Sequence, residues 1–309
     1  MKGLVYKSTG SWYSVKTEGG NIYDCKIKGK LRLKNINSTN PVVVGDIVEF
    51  IVEEHDLQKI GIIQEIHDRR NYILRKSVNL SKQTHIIAAN IDQAVLMITL
   101  RSPTTSTGFI DRFLISAEAF GVDVILLFNK IDLYNDKLLL EKQNLENIYS
   151  KIGYQCFSLS ILNDNLASLR KELINKNNLI SGHSGVGKST LINKLLGTEI
   201  TTNVISQTHD QGQHTTTFSH LYRIEKGGTI IDTPGIKGFG LVDIDKKDVC
   251  KYFPEFERLR SNCKFNNCIH INEPNCSVLE NLKKGNISQS RYLNYLNMLE
   301  SEDNNYRLS

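Results

Sequence analysis

The residues Asn129-Lys130-Ile131-Asp132 have the types and spacing needed to read a guanine base. The Asp132 carboxylate can accept hydrogen bonds from guanine N1–H and the exocyclic amine, whereas adenine offers an acceptor and no amine there. Asn129 can fix the base from its other edge, and the aliphatic stem of Lys130 can cover the ring plane. Two serines that follow a later apolar run are expected to close the base pocket: Ser158 and Ser160.

A phosphate-binding loop with the pattern Gly-x-x-x-x-Gly-Lys-Ser lies further along the chain, after an apolar run and before a helical pattern. This arrangement aims consecutive backbone N–H groups and a helix N-terminus at phosphate oxygens. Lys188 can reach the β- and γ-phosphates, and the hydroxyl of Ser189 is the expected Mg²⁺ ligand. The predicted GTP-binding residues of this stretch are Gly182, His183, Ser184, Gly185, Val186, Gly187, Lys188, Ser189 and Thr190.

Two polar segments after this loop have the features of nucleotide-sensitive switches. Asp232, which follows an apolar strand, can hold Mg²⁺ through a water molecule, and the Gly235 N–H can sense the γ-phosphate. In the polar stretch 212–217, we expect Thr216 to complete the Mg²⁺ shell. Ile236 follows Gly235, so no Gln stands there to orient an attacking water, and His214 is the candidate catalytic group. The alternative is that His214 is an ordinary structural loop histidine.

The order of these motifs is rotated with respect to an ordinary P-loop GTPase, in which the phosphate loop comes first and the base-reading motif comes late. Here the base-reading motif precedes the phosphate loop, and the segment after Gly235 runs directly into the C-terminal part of the chain. A nucleotide-sensitive switch is therefore covalently coupled to whatever lies downstream.

A second chemical feature is a cluster of metal-ligand residues near the C-terminus. Cys263-x4-Cys268-x-His270-x5-Cys276 supplies three thiolates and one imidazole, a set suited to one closed, tetrahedral, structural Zn²⁺ site. The neighbouring residues are mostly polar, which argues against the alternative of reduced cysteines in an apolar core. Cys250 lies outside the tight cluster and is expected to be unliganded.

Length, composition and charge place these motifs in a chain of two or three domains. The chain has 309 residues, with 40% hydrophobic and 23% charged, as expected for a globular protein. No apolar run approaches the length of a membrane span, so we expect a cytoplasmic protein without membrane association. Residues 1–36 carry eight Lys/Arg against two acidic residues, a net +6. This basic segment suggests polyanion binding, although a solvated face of a small β domain explains the charge equally well.

The pattern of apolar and turn residues predicts a three-part architecture. Residues 1–70 read as short strands that fit an N-terminal OB-type β-barrel, which either binds RNA or serves only as a packing module. Residues 71–244 alternate strands and helices, which predicts a central α/β P-loop fold with a parallel sheet covered on both faces. Residues 245–309 change to a mostly helical zinc-binding domain. The strands of the central part are predicted at 93–100, 122–128, 154–159, 178–181, 221–224 and 229–231. Its helices are predicted at 110–120, 138–152, 166–173 and 188–196, and those of the last part at 248–258 and 289–298.

Taken together, these motifs and their order resemble the RsgA (YjeQ) family of circularly permuted GTPases, over essentially the whole chain. The resemblance implies an OB barrel, a permuted GTPase core and a C-terminal zinc domain. It further implies a role in late maturation of the bacterial small ribosomal subunit, with rRNA as a binding partner and GTP hydrolysis stimulated by the subunit. We expect GTP and GDP as nucleotides, Mg²⁺ with GTP, and a monomer.

Other functions also fit the motifs. One is a GTP-gated RNA-binding module with negligible turnover, and another is a GTPase that serves tRNA or a membrane.

Overall fold

The computed structural model describes residues 1–27, 41–55, 58–76, 84–197, 219–225, 227–232 and 244–300. Within these ranges, no helix is long and apolar enough to cross a membrane.

The N-terminal part is a closed five-stranded barrel. Its strands are β1 (Lys2–Ser8), β2 (Tyr13–Thr17), β3 (Ile22–Ile27), β4 (Ile47–His55) and β5 (Gln58–Ile66). They pair in the order β1-β2-β3-β5-β4, and β4 pairs back to β1, which closes the barrel. Alternate residues point inward and form its core, including Val5, Tyr13, Val15, Cys25, Val48, Phe50 and Ile63. The predicted OB-type barrel is therefore confirmed.

The strand β4 begins later than its sequence suggests, because residues 42–52 are mostly apolar and β-branched. The strand begins only at Ile47, because the chain turns at Gly45, where φ is +92°. A Cβ atom at Gly45 would lie 2.1 Å from the carbonyl oxygen of Ala89, so only glycine allows this close approach. The turn brings the barrel against the segment that leads into the central sheet.

That segment contains a hairpin that the sequence analysis did not anticipate. Strands β6 (Tyr72–Lys76) and β7 (Thr84–Ala89) pair antiparallel, and a bridge between Val44 and Ala88 joins them to the barrel. The Asn90 side chain donates to the Gly45 carbonyl at 2.9 Å. The hairpin therefore connects the barrel to the central part through backbone and side-chain hydrogen bonds.

The central sheet positions the nucleotide motifs. It contains β8 (Gln93–Ile98), β9 (Asp123–Asn129), β10 (Gln155–Leu159), β11 (Asn177–Ser181), β12 (Ser219–Arg223) and β13 (Thr229–Asp232). The order is β10-β9-β8-β11-β13-β12, with parallel neighbours except for β12, which runs antiparallel to β13. β12 also pairs with β1, so the barrel extends the same sheet.

Helices cover both faces of this sheet, as predicted. They are α1 (Thr107–Ala119), α2 (Asp136–Ile152), α3 (Ala167–Leu173) and α4 (Lys188–Leu196). Side chains alternate along the strands: Leu96 faces the core formed with α1 and α2, whereas Val95 faces the core formed with α3 and α4. Two separate apolar layers therefore hold the sheet rigid beneath the loops at its edge.

The C-terminal part is mostly helical, but the helix predicted over 248–258 is divided. A 3-10 helix spans Lys246–Tyr252, and α5 begins at Pro254 (Pro254–Arg260). Proline lacks an N–H and fits the first position of a helix, so it starts a new helix rather than continuing the old one. Two further helices follow, α6 (Ser277–Lys283), which was not predicted, and α7 (Gln289–Glu300).

A buried ion-pair network attaches this part to the central domain. The Arg291 guanidinium contacts Asp111 of α1 at 2.8 Å and Glu255 of α5 at 2.7 Å. Tyr149 of α2 donates to the same Asp111 oxygen at 2.8 Å. Arg291 and Asp111 are fully buried, and such pairs are costly to break because one charge is then left without a partner.

Candidate nucleotide site and metal centre

The nucleotide motifs meet at one edge of the central sheet. Asn129 ends β9, Ser181 ends β11 and Asp232 ends β13. Because these strands run parallel, their carboxyl ends lie side by side, which is where open α/β sheets bind ligands. The base-reading motif and the phosphate loop are therefore neighbours in space despite their separation in sequence.

The Asn129 side chain contacts both the phosphate loop and the loop that follows β10. Its side-chain amide donates to the Val186 carbonyl at 2.7 Å, and its side-chain oxygen accepts from the Ile161 N–H at 3.1 Å. The residue is almost fully buried. One side chain thus joins the loops after β9, β10 and β11.

Lys130 makes a second connection to the phosphate loop. It has left-handed backbone geometry (φ 61°), and its ammonium donates to the carbonyls of Gly185 at 2.8 Å and Ser102 at 2.5 Å. Asp132 follows in a short 3-10 helix (Ile131–Leu133), where it is exposed. Its carboxylate is therefore available to a base that lies against this edge.

Tyr134 supports the turn at Asn129 and Lys130 through its hydroxyl, a role that the sequence analysis did not predict. Its buried hydroxyl donates to the Asn129 carbonyl at 2.9 Å and accepts from the Leu100 N–H at 2.7 Å. An aromatic residue two positions after Asp132 carries no signal of this role in the sequence alone. The contact fixes the turn that presents the base-reading residues.

Lys188 and the glycines shape the phosphate loop. Gly182, Gly185 and Gly187 have positive φ values, and α4 begins at Lys188 immediately afterwards. The Lys188 ammonium donates to the carbonyls of Gly182 and His183, each at 2.7 Å. With carbonyl groups held by Lys188, Lys130 and Asn129, the loop is shaped to present N–H groups to an anion.

The electrostatics of the loop depend on the half-buried cation of Lys188 and the buried carboxylate of Asp232. Burial lowers the pKa of Lys188, and the charge of Asp232 opposes that change. Burial likewise raises the pKa of Asp232, and the charge of Lys188 opposes it. Each charge therefore stabilises the other at this edge of the sheet.

Ser189 and Thr190 follow Lys188 in the first turn of α4.

His183 of the loop packs on Phe109 of α1, another contact that the motifs did not reveal. The ring centroids are 4.0 Å apart, with 31° between the ring planes. Burial, followed by the charge of Lys188, lowers the pKa of His183. The ring therefore supports the loop from the α1 side.

Ser158 and Ser160, which were predicted to close the base pocket, form hydrogen bonds with other residues of the protein. The Ser158 hydroxyl accepts from Lys142 at 3.0 Å and donates to Glu146, both on α2. Ser160 is buried, and its N–H donates to Asp164 at 2.7 Å. The N–H that reaches Asn129 belongs to Ile161.

The remaining predicted nucleotide residues, His214, Thr216 and Gly235, lie outside the described residues.

The C-terminal cluster has the donor set of a metal centre. The ligand atoms of Cys263, Cys268, His270 and Cys276 all lie within 4.8 Å of one another. His270 Nδ1 is 3.3 Å from the Cys276 sulfur and 3.7 Å from the Cys263 sulfur. Three sulfurs and one imidazole nitrogen at these separations can hold a metal ion.

The protein backbone around the cluster is firmly held. The hydroxyls of Tyr292 and Tyr295 donate to the carbonyls of His270 and Ile269. The Glu273 carboxylate accepts hydrogen bonds from the backbone N–H groups of Ile269, Ile271 and Asn272.

Burial raises the pKa of the Cys268 thiol to about 12. Cys250 lies apart, and its thiol donates to the Lys247 carbonyl.

Comparison with known proteins agrees with this geometry. The sequence profile described as RsgA GTPase matches residues 66–242, and the profile described as RsgA N-terminal domain matches residues 2–63. The small ribosomal subunit biogenesis GTPase RsgA of Christiangramia forsetii is 52% identical, with 100% of this chain and 98% of that protein covered. The protein of the same name from Flavobacterium psychrophilum is 52% identical, with coverage of 99% and 95%.

Solved structures also match. The crystal structure of YjeQ from Thermotoga maritima matches with a TM-score of 0.75 and 32% identity, covering 96% of each chain. YloQ, described as a circularly permuted GTPase, matches with a TM-score of 0.71 and 29% identity, covering 96% of this chain and 93% of that one. With its motifs in permuted order and the matches spanning nearly its whole length, this chain belongs to the RsgA GTPase family.

Proposed function

We propose that this chain is a GTP hydrolase that acts in the maturation of the small ribosomal subunit, and that the subunit stimulates its turnover. The observation that supports the proposal is the hydrogen bond between the Asn129 side chain and the Val186 carbonyl, which joins the proposed base-reading motif to the proposed phosphate loop. The relatives named small ribosomal subunit biogenesis GTPase, at 52% identity over almost the whole chain, support the cellular role.

Residue roles in the nucleotide site follow from their chemistry. Asp132 selects guanine, Asn129 and Lys130 hold the loop that binds the phosphates, and Lys188 neutralises phosphate charge. Ser189, Thr216 and Asp232 are the oxygen ligands for Mg²⁺, with Asp232 acting through a water. Mg²⁺, when bound, supplies positive charge to the terminal phosphates. His214 is the proposed residue that orients the attacking water.

The rest of the chain supplies the contacts to the subunit. We assign residues 1–70 to an RNA-binding barrel, 71–244 to the permuted GTPase and 245–309 to a domain held by one structural Zn²⁺. The basic charge of residues 1–36 supports rRNA as the barrel's ligand. The protein acts as a monomer in the cytoplasm, where the subunits mature.

GTP turnover with and without purified small subunits tests the proposal. A large stimulation by the subunits is expected, together with its loss in His214→Ala. Binding to the subunits without stimulation would instead indicate a GTP-gated RNA-binding module. If the subunits neither bind the protein nor stimulate its turnover, a role on this subunit is excluded.

A further inference from the structure

Helix α1 contacts both the phosphate loop and the C-terminal part of the chain. In its first turn, the ring of Phe109 packs on His183 of the phosphate loop, with 4.0 Å between the ring centroids. Two residues later, the Asp111 carboxylate accepts a hydrogen bond from Arg291 of α7 at 2.8 Å. Both contacts therefore lie within one turn of a single helix.

Helices α1 and α7 pack against each other over about two turns. The α1 residues Gly108, Asp111 and Ile115 have the i, i+3, i+7 spacing of one helix face. The Asn294 amide of α7 donates to Asp111 at 2.6 Å, and a Cβ atom at Gly108 would lie 3.5 Å from the Asn294 side-chain oxygen. Ile115 is buried in the same apolar core as Tyr295 of α7. One face of α1 is therefore covered by the C-terminal part.

The polar contacts in this interface fix the position of α1. Arg291 donates through Nη1 to Asp111, and through Nε and Nη2 to Glu255 of α5 at 2.7 and 3.0 Å. Arg291 and Asp111 are fully buried. The planar fork of a guanidinium group defines one bonding geometry, whereas apolar contacts between helices allow small sliding movements. These bonds therefore hold α1 at one position relative to α5 and α7.

The start of α1 is also connected to the base-reading motif. The Lys130 ammonium donates to the carbonyls of Ser102, in the loop that leads into α1, and of Gly185, in the phosphate loop. Pro103 of the same leading loop lies close to Gly185, since a Cβ atom there would be 3.6 Å from its side chain. A shift of α1 and its leading loop would therefore disturb the phosphate loop at two positions, His183 and Gly185.

We propose that Arg291 and Asn294 are positioning residues for the nucleotide site, which act through α1 on the phosphate loop. They hold Asp111, and α1 in turn places Phe109 against His183. Because coupling between two sites is reciprocal, nucleotide binding should stabilise the attachment of α7 as much as α7 stabilises the nucleotide complex. The inference rests on the proposed function, since it takes this loop as the GTP site. It adds control of that site by the C-terminal part.

Calorimetric titration with GDP tests the positioning role. Asn294→Ala removes one hydrogen bond to Asp111 and leaves the Arg291 ion pair in place, so the chain should stay folded. We expect GDP affinity to fall about three- to tenfold. Tyr154→Phe is the matched control, because it removes one hydrogen bond to Glu118 at the far end of α1 and should bind GDP like the wild type. Equal losses in the two variants would indicate general loosening of α1 and overturn the inference.

A double variant tests the route through Phe109. Phe109→Leu alone should weaken GDP binding, because the smaller side chain loses the ring contact with His183. Adding Asn294→Ala to Phe109→Leu should then have little further effect, since the two residues act on the loop in series. If the two losses multiply in full, the effect of Asn294 does not pass through Phe109, and the proposed route is wrong.

Hydrogen exchange gives a reciprocal measurement at α7 itself. Saturating GDP should slow amide exchange in α7 of the wild-type protein, and the slowing should be lost in Phe109→Leu at a GDP concentration that saturates that variant. Unchanged exchange in α7 on GDP binding, or wild-type affinity in Asn294→Ala, sinks this inference alone. A wild-type chain that binds no guanine nucleotide sinks the proposed function as well.

Discussion

The side-chain amide of Asn129 lies 2.7 Å from the carbonyl oxygen of Val186, across 57 residues of sequence. In this permuted chain, Asn129 comes before the glycine-rich loop that its side chain contacts. Its contact with that loop joins two segments that are distant in sequence and places Gly187 directly against the Asn129 side chain. A side chain added at position 187 would therefore push these two segments apart.

Gly187→Ala should disrupt this contact. A Cβ atom at position 187 would lie 2.6 Å from Asn129 Nδ2, and the residue has a φ of +106°. Displacing Asn129 leaves the Val186 carbonyl without its donor, so we expect GTP affinity to fall about ten- to a hundredfold. Calorimetric titration with GTP and GDP measures the change.

Gly185→Ala is the matched control for this prediction. Its φ is +82°, so alanine pays a similar backbone cost, but the added Cβ meets only the Pro103 side chain at 3.6 Å. The variant should retain most of its nucleotide affinity. Equal losses in the two variants would show that backbone strain, and not the Asn129 contact, controls the loop.

Asp132→Asn should exchange the base preference of the site. The carboxylate accepts from the N1–H and the amine of guanine, whereas an asparagine amide can donate to the C2 carbonyl of xanthine. We expect GTP affinity to fall about a hundredfold or more and xanthosine triphosphate to become the tighter ligand. Competition between the two nucleotides for the wild-type and variant proteins measures the reversal. An unchanged preference for GTP would remove Asp132 from the base pocket.

The sequence predicted those parts of the fold whose signals are local. The helix α4 (Lys188–Leu196) matches its predicted bounds because Gly187 and Gly197 stand at its two ends. The hairpin β6–β7 was missed because Ile87 of β7 is an extra residue opposite Ile73 and Leu74, and such a bulge breaks the alternation that marks a strand. Similarly, α6 (Ser277–Lys283) is only seven residues long and starts beside a cysteine of the cluster.

The nucleotide site shows the same division between local and tertiary information. The sequence predicts roles for Asn129, Lys130 and Lys188 because their motifs have fixed spacing. It did not reveal that all three bind carbonyl groups of the phosphate loop, nor that Phe109 packs on His183. These contacts form because the sheet brings distant loops together. The spacing of residues within one motif cannot predict which loops will meet.

Cys268→Ser should release the metal and loosen the C-terminal part. Cys268 and Cys276 are buried in the same core as Phe256 and Tyr295, and Cys263 packs against it, so metal binding and packing should be coupled. We expect metal content by elemental analysis to fall from one equivalent of zinc toward none, with earlier thermal unfolding. Cys250→Ser is the control, because Cys250 is equally buried but bonded to a backbone carbonyl outside the cluster. Full zinc content in Cys268→Ser would contradict the assignment.

Arg291→Met should destabilise the junction between the central and C-terminal parts. The substitution leaves Asp111 and Glu255 without their cation, and losing one partner of a buried pair costs roughly 3 to 5 kcal/mol. Tyr149→Phe is the milder comparison, since it removes a single hydrogen bond to Asp111, worth about 1 kcal/mol. Denaturant unfolding of both variants measures the difference, and equal losses would exclude the ion pair as the main contact.

The loss in Arg291→Met should also depend on pH. Burial raises the pKa of Asp111, and the charge of Arg291 opposes that rise. Without Arg291 the folded-state pKa lies further above the unfolded value, so the folded protein binds the proton more tightly than the unfolded chain. Stability is then retained below the unfolded pKa and lost as pH rises through the folded pKa. The variant should therefore lie closer to wild type at pH 5 than at pH 8, and a pH-independent gap between the two proteins would contradict this account.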